Sequence, residues 1–393
     1  MYRKVELGQC PIEMKKMQVP EVAIELMWKK SHIEPVKFFR VRAPGANIIK
    51  QEMLSLGGEC ATEPSAVTCT SKYVDIILLG TACQYRRLLE KLQLMEDWFG
   101  FKVIIKELTA YLKTNPLTTR LTDGRIINYD KMKIMGILNV TPDSFYAGSR
   151  VESGSSLLLR AEKMLKEGAD ILDIGGESTR PGSAAVSCQE EIKRVVPAIA
   201  SLKKEFPAAV ISVDTRNSET ARQALLAGAD IINDISAGEG DSGMLPLAAD
   251  TGAPIILMHM RGTPQTMGDK TGYTNVVDQV ACYLVERIAA CQALGIENDK
   301  IILDPGIGFA KDAEENLLLL RQLGAFTGYG VPVLLGASRK STIGRVLGDL
   351  PPEERLEGTL ATSARAVFSG VNIVRVHDVQ ANFRTIRMLE AML

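Results

Sequence analysis

KIILDPGIGFAK, residues 300–311, carries the plan of the chain in one short segment. Branched apolar residues after Lys300 read as a short buried strand, which ends on a carboxylate, Asp304. Pro305-Gly306 then turns the chain, and a helical stretch follows. An apolar strand that finishes on a chemically capable residue, then a turn and a helix, is one βα unit.

Working outward, the same unit recurs from residue 133 to the end. The strands read KIMGILNV (133–140), DILDIGG (170–176), AVISVDT (209–215), DIINDIS (230–236), PIILMHM (254–260), KIILDPG (300–306), VPVLLGAS (331–338) and NIVRVHDV (372–379). Helix-period segments follow, as in Leu157 to Leu165, where apolar residues stand three and four apart. Strands alternating with helices make a parallel sheet, and eight units close naturally into a (β/α)8 TIM barrel. An open doubly wound sheet is the alternative, with its site at one switch point. Residues at or just past the strand ends favour the barrel: Asn139, Glu177, Asp214, Asn233, His259, Asp304, Lys340, Arg375 and His377. In a barrel all eight C-terminal ends meet at one mouth. Before the first strand, LTTRL and RIINY flank Asp123-Gly124 and read as a hairpin able to plug the barrel base.

The partition is therefore 1–115 as an accessory α+β module, 116–130 as linker and hairpin, and 131–393 as the barrel. In the module VDIILLG reads as a strand, and the stretches around NIIKQEMLSLG and YRRLLEKLQLMEDW as helices. Its Cys60, Cys69 and Cys83 match no zinc spacing. The chain's seven cysteines are odd in number and contain no CxxC, which suits reduced thiols in a cytoplasmic protein. With 46 Lys and Arg against 47 Asp and Glu, no bulk field draws the chain to nucleic acid or to an anionic membrane. No apolar run reaches the ~18 residues of a spanning helix. Any anion must be caught by local groups.

Several segments supply such groups. NVTPDSFYAG (139–148) reads as a loop over the mouth, with Asn139 offering an amide oxygen to a divalent cation or a phosphate. DIGGESTRPG (173–182) sets Arg180 beside the hydroxyls of Ser178 and Thr179, which suits a phosphate. Asp214, Asn233 and Asp234 end apolar runs and either cap the next helices or face a flat heterocycle. Asp304 can take paired hydrogen bonds from a guanidine-like ring edge, with Phe309 as an apolar wall and Lys311 expected on the surface. SRKS (338–341) and Arg375-Val376-His377 follow strand seven and lie on strand eight, where TIM barrels commonly hold phosphate.

Taken in order, NVTPDSF, GGESTRPG, SVDT, LMHMRGTPQTM, DPGIGF, SRKS and RVHD resemble the dihydropteroate synthase family over about 131–380. The resemblance implies a TIM barrel, usually dimeric, which joins 6-hydroxymethyl-7,8-dihydropterin diphosphate to 4-aminobenzoate with help from Mg2+. By motif position it implies pterin contacts from Asp214, Asn233, Asp304 and Lys340. It implies diphosphate contacts from Asn139, Thr179, Arg180, Arg375 and His377, with Asn139 on the metal. Catalysis would rest on Asn139, Arg180, Lys340, Arg375 and His377. Phe145, Pro181, Phe309 and Ser341 would frame the aminobenzoate. Tyr146-Ala147 and Thr342 depart from the family pattern. A methyl-transferring pterin barrel or a non-catalytic pterin binder would have no use for the diphosphate set.

Overall fold

The computed structural model describes residue 5 and residues 7–95, 99–113, 116–140, 150–176 and 186–393, the side chains of 150–155 excepted. Two compact units divide the chain, Met1–Thr114 and Asn115–Leu393.

In the first unit β1 (Glu34–Arg42), β2 (Glu59–Thr62) and β3 (Tyr73–Gly80) form an antiparallel sheet in the order β1-β3-β2. β3 alternates strictly, with Val74, Ile76 and Leu78 buried and Ile77 and Leu79 exposed. Period-two alternation of this kind marks a sheet with one covered face. Helices Ala43–Ser55, Ala82–Gln93 and Phe101–Leu112 share an apolar core with the buried face. The helix beginning at Ala82 starts with a capping box between Thr81 and Gln84. β1 escapes a periodicity reading because EPVKFFRVR mixes charge, proline and adjacent phenylalanines.

The second unit opens with a hairpin, β4 (Thr118–Arg120) and β5 (Ile126–Asn128), turned through Gly124 at φ +87°. The parallel strands are β6 (Lys133–Asn139), β7 (Ile171–Gly175), β8 (Val210–Asp214), β9 (Ile231–Asp234), β10 (Ile255–Met258), β11 (Ile301–Asp304), β12 (Leu334–Leu335) and β13 (Ile373–Val376). Their order is β11-β10-β9-β8-β7-β6-β13-β12, and a parallel bridge between Leu303 and Val333 closes the ring. β12 is shorter than VPVLLGAS suggests; the amide of Val333 bonds the Asn372 side chain instead of a neighbouring strand.

Alternation sorts every barrel strand into an inner and an outer set. Inside the base, Met135, Ile171, Ile231, Ile256, Ile302, Leu334 and Ile373 form one cluster with Leu121 and Ile127 of the hairpin. The hairpin is thus the barrel's plug. Lys300 ties it down by donating to the Arg120 carbonyl, and Arg120 pairs with Asp299 at 2.7 Å. Outward residues such as Leu172, Ile211, Ile232, Leu257 and Val374 pack under the helices in the main core.

Because Leu121 fills the closed end of the barrel at 2% exposure, Leu121→Ala should cost the barrel about 2–5 kcal/mol in urea unfolding. A loss below about 1 kcal/mol would show that the hairpin does not act as a plug.

Candidate active site

The inward set changes character toward the C-terminal ends. On β7 it runs Ile171, Asp173, Gly175; on β8 Val210, Ser212, Asp214; on β13 Ile373, Arg375. Asp173 is fully buried and Asp214 nearly so. Arg375 reaches between them: Nε donates to Asp173 Oδ2 at 2.6 Å and Nη2 to Asp214 Oδ2 at 2.7 Å. Asn233 Nδ2 donates to the same Asp173 oxygen at 3.2 Å. Burial would lower the guanidinium's pKa, but Asp173 and Asp214 more than offset it and hold the net value up. Burial raises Asp214 to about 7; Arg375 opposes that rise and the charge of Asp173 adds to it.

Asp304 ends β11 facing the same interior. Its Oδ1 accepts from the amide of Gly306 at 2.7 Å, so the Pro-Gly turn orients the carboxylate. Gly306 sits at φ +71°, and a Cβ there would meet the His259 carbonyl at 2.0 Å. Only glycine fits that place. Burial raises the pKa of Asp304, with Lys340 pulling the other way. Lys340 lies 4.4 Å from the centroid of the Phe309 ring and donates to the Ile307 carbonyl. Gly308, at φ +80°, leaves room for the Lys340 stem, which a Cβ would meet at 2.9 Å. Burial lowers Lys340 to about 8. Phe309 itself is buried beside Met258 and Met267, an apolar wall next to the polar floor.

On β6, Asn139 is half-buried, and its Oδ1 lies 3.3 Å from where a Gly175 Cβ would stand, on the side of Asp214. His377 is exposed just past β13, its Nδ1 3.0 Å from Ser338 Oγ. Ser341 is exposed at the first position of the short helix Ser341–Val346. Phe145, Thr179, Arg180 and Pro181, with Glu177 and Tyr146-Ala147, lie outside the described residues.

Three sequence readings need correction. His259 and Asp234 have the outward parity of their strands and do not share the mouth. Asp234 orders its own loop, accepting from Ser236 and Gly238. His259 is buried against Tyr283, their ring centroids 4.8 Å apart. Lys311 is buried at 7% exposure, not a surface charge. Asp173 lies inside an apolar strand rather than at its end, and counting in twos from Ile171 places it on the inner face.

Geometry of this kind, a carboxylate-lined barrel mouth with a guanidinium, a lysine and a histidine at one rim, can be set against known proteins. The model of the family "Pterin binding enzyme" matches residues 135–377. A dihydropteroate synthase from Synechocystis is 47% identical over 259 residues, 66% of this chain and 89% of that one. The chain belongs to the dihydropteroate synthase family of pterin-binding enzymes. A Xanthomonas albilineans dihydropteroate synthase, solved with 4-aminobenzoic acid, superposes with a TM-score of 0.65 at 42% identity, covering 70% of this chain and 98% of that one. A Halobacterium salinarum protein described as "Probable bifunctional folylpolyglutamate synthase/dihydropteroate synthase" is 39% identical over 377 residues, 92% of this chain and 45% of that one. That last match is longer than the barrel unit and so runs into the N-terminal one.

For a dihydropteroate synthase the Asp173 contacts have a chemical consequence. A carboxylate accepts only, so it turns the Asn233 NH2 toward itself and presents the Asn233 carbonyl to a ligand. Asp173→Asn removes that demand and one of Arg375's two anchors. Pterin affinity should fall about tenfold or more, on the order of 1–3 kcal/mol, measured by calorimetry on a variant whose circular dichroism matches the parent. The acid limb of the kcat/KM profile should also move down, because one charge that raises Asp214 is gone. An unchanged affinity and profile would reduce Asp173 to a core residue.

Proposed function

We infer that this protein condenses 6-hydroxymethyl-7,8-dihydropterin diphosphate with 4-aminobenzoate, yielding 7,8-dihydropteroate and diphosphate. The observation that carries this reading is the convergence of Asp214, Asn233, Asp304 and Lys340 on one barrel interior beside the Arg375 fork and the Phe309 wall. Asp304 and Asp214 accept from the ring's N–H edge, Asn233 supplies an acceptor, and Lys340 a donor. Arg375 and His377, with Arg180 and Thr179, hold the diphosphate. Phe309, Phe145, Pro181 and Ser341 frame the arylamine.

The carbon–oxygen bond between the pterin methylene and the diphosphate breaks, and a carbon–nitrogen bond to the amine forms. The leaving anion takes the electron pair, and the amine's proton passes to solvent. Positive charge grows on the methylene as the bond lengthens, so the site gains most by stabilising the departing anion at that moment. The arylamine is neutral near pH 7 and needs no strong base to act as nucleophile.

Mg2+ fits this donor set. It keeps several waters and takes few protein oxygens when a phosphate completes its shell. The Asn139 amide oxygen at the end of β6 is such a ligand. Bound there with the substrate, the ion would neutralise leaving-group charge. A homodimer is supported by Phe368, Met388 and Met392, exposed on the adjacent helices Leu356–Phe368 and Val379–Met392. A cytoplasmic home is supported by the cysteine pattern, seven in number with no CxxC pair.

Diphosphate release that requires both substrates, and stops with chelator, is the expected assay result; methyl transfer from methyltetrahydrofolate to cobalamin without dihydropteroate would overturn the reading. Plotted against pH, kcat/KM should rise through about 7 as Asp214 ionises. It should fall through about 8 as Lys340 loses its charge. Asp214→Asn should abolish the acid limb. Asp304→Asn should weaken binding of the pterin alcohol by about 2–4 kcal/mol, since an amide offers one acceptor and one misplaced donor. Binding within about threefold of the parent would leave Asp304 as a turn residue only.

A further inference from the structure

Lys311 is a buried amine that the proposed reaction does not use, and burial lowers its pKa to about 7. Its Nζ stands 2.9 Å from the Gly306 carbonyl, 2.9 Å from the Phe309 carbonyl, 3.0 Å from His259 Nδ1 and 3.3 Å from the His259 carbonyl. Four acceptors thus surround one amine, two from the loop after β11 and two from the end of β10. A buried ammonium is costly, so a site that keeps one must satisfy its donors fully. His259 is well suited as the fourth partner: burial, then Lys311 and Arg261, lower its pKa to about 2, so Nδ1 can accept.

The loop that Lys311 gathers is Pro305 to Ala310, and each of its parts touches the candidate site. Gly306 N orients Asp304, the Ile307 carbonyl holds Lys340, and Phe309 walls the amine side. Its backbone is unusual. Gly306, Gly308 and Ala310 all have positive φ, and Ala310 at +51° pays a steric cost that a glycine would not. A loop in this shape persists only if its surroundings over-determine it. Asn316 adds a second tie, accepting from Gly308 N at 2.7 Å and donating to the Lys311 carbonyl at 3.2 Å.

We propose that Lys311 is a positioning residue for the arylamine half of the site: its single Nζ cross-links the loops after β10 and β11 and thereby sets the Phe309 ring and the carbonyl that holds Lys340. This rests on the condensation reading above. Lys311 touches no reacting atom. The groups assigned to the leaving anion, Asn139, Arg375 and His377, come from other strands, while Lys340, which the clamped loop holds through the Ile307 carbonyl, contacts the pterin. Loss of the clamp should therefore harm capture of the amine more than the bond-breaking step.

The test compares Lys311→Met and Lys311→Arg in the full-length protein. For Lys311→Met the aminobenzoate KM should rise about tenfold or more while kcat at saturating amine stays within about threefold. Lys311→Arg, which keeps charge and donors, should recover most of that KM. Amide hydrogen exchange without substrates should accelerate about tenfold over 305–310 in Lys311→Met, with the barrel strands unchanged. A purely structural lysine would instead lower Tm and the active fraction with KM and loop exchange unaltered, and that result overturns the proposal. If Lys311→Met does not fold, His259→Leu replaces it, with KM and loop exchange expected to rise about threefold and unchanged values again overturning. A parent protein that makes no dihydropteroate would defeat the condensation reading, while the exchange arm would still decide whether Lys311 clamps the loop.

Discussion

A side chain on a barrel strand can point to one of two places only, the closed interior or the layer under the helices. That binary constraint organises the second unit. It sends Ile171, Ile231, Ile256 and Ile302 to the base, where the hairpin residues Leu121 and Ile127 cover them. Two or four residues further along the same faces it delivers Asp173, Asp214, Asn233, Asp304 and Arg375 to the mouth. Stability and chemistry therefore share one ladder of positions, apolar at the closed end and ionisable at the open one.

The ionisable end must meet the cost of burying charge. Burial raises Asp214 to about 7, and because Asp173 shares the same guanidinium, Arg375 only partly opposes that rise while the Asp173 charge adds to it. The same arithmetic acts in reverse at Lys340, where burial draws the ammonium down to about 8. A ligand that offers N–H donors to the carboxylates and an anion to the cations relieves both strains together. The site is thus an electrostatic mould of its proposed substrate, set in place before the substrate arrives.

Side-chain hydrogen bonds brace the loops at the mouth. Gly306 and Gly308 permit close approach of the His259 carbonyl and the Lys340 stem, and Lys311 and Asn316 then hold the resulting shape. Glu315 extends the bracing, since it accepts from Gly272 and Tyr273 of the loop after β10 while completing a capping box with Asp312. Neighbouring loops are thereby tied to each other as well as to their strands.

Much of this was legible in the residues alone. Eight apolar runs, each ending in a polar residue, specify the strands because hydrophobic periodicity and turn chemistry are local properties of the chain. They also specify that Asp214, Asn233, Asp304 and Arg375 sit at strand ends, and family motifs supply their chemistry. What the chain alone did not decide is which strand-end residues share a cavity. Asp234 and His259 stand beside inward residues and yet face outward, because register and barrel closure set the parity. Asp173 hid inside an apolar strand, and only the three-dimensional proximity of Arg375, some two hundred positions away in the chain, reveals its role. Lys311 departs from expectation for the same reason: a lysine is ordinarily solvated, and nothing local announces that four acceptors from two loops will close around it. Long-range contacts of this kind exist only once the ring has closed, so tertiary structure alone decides them.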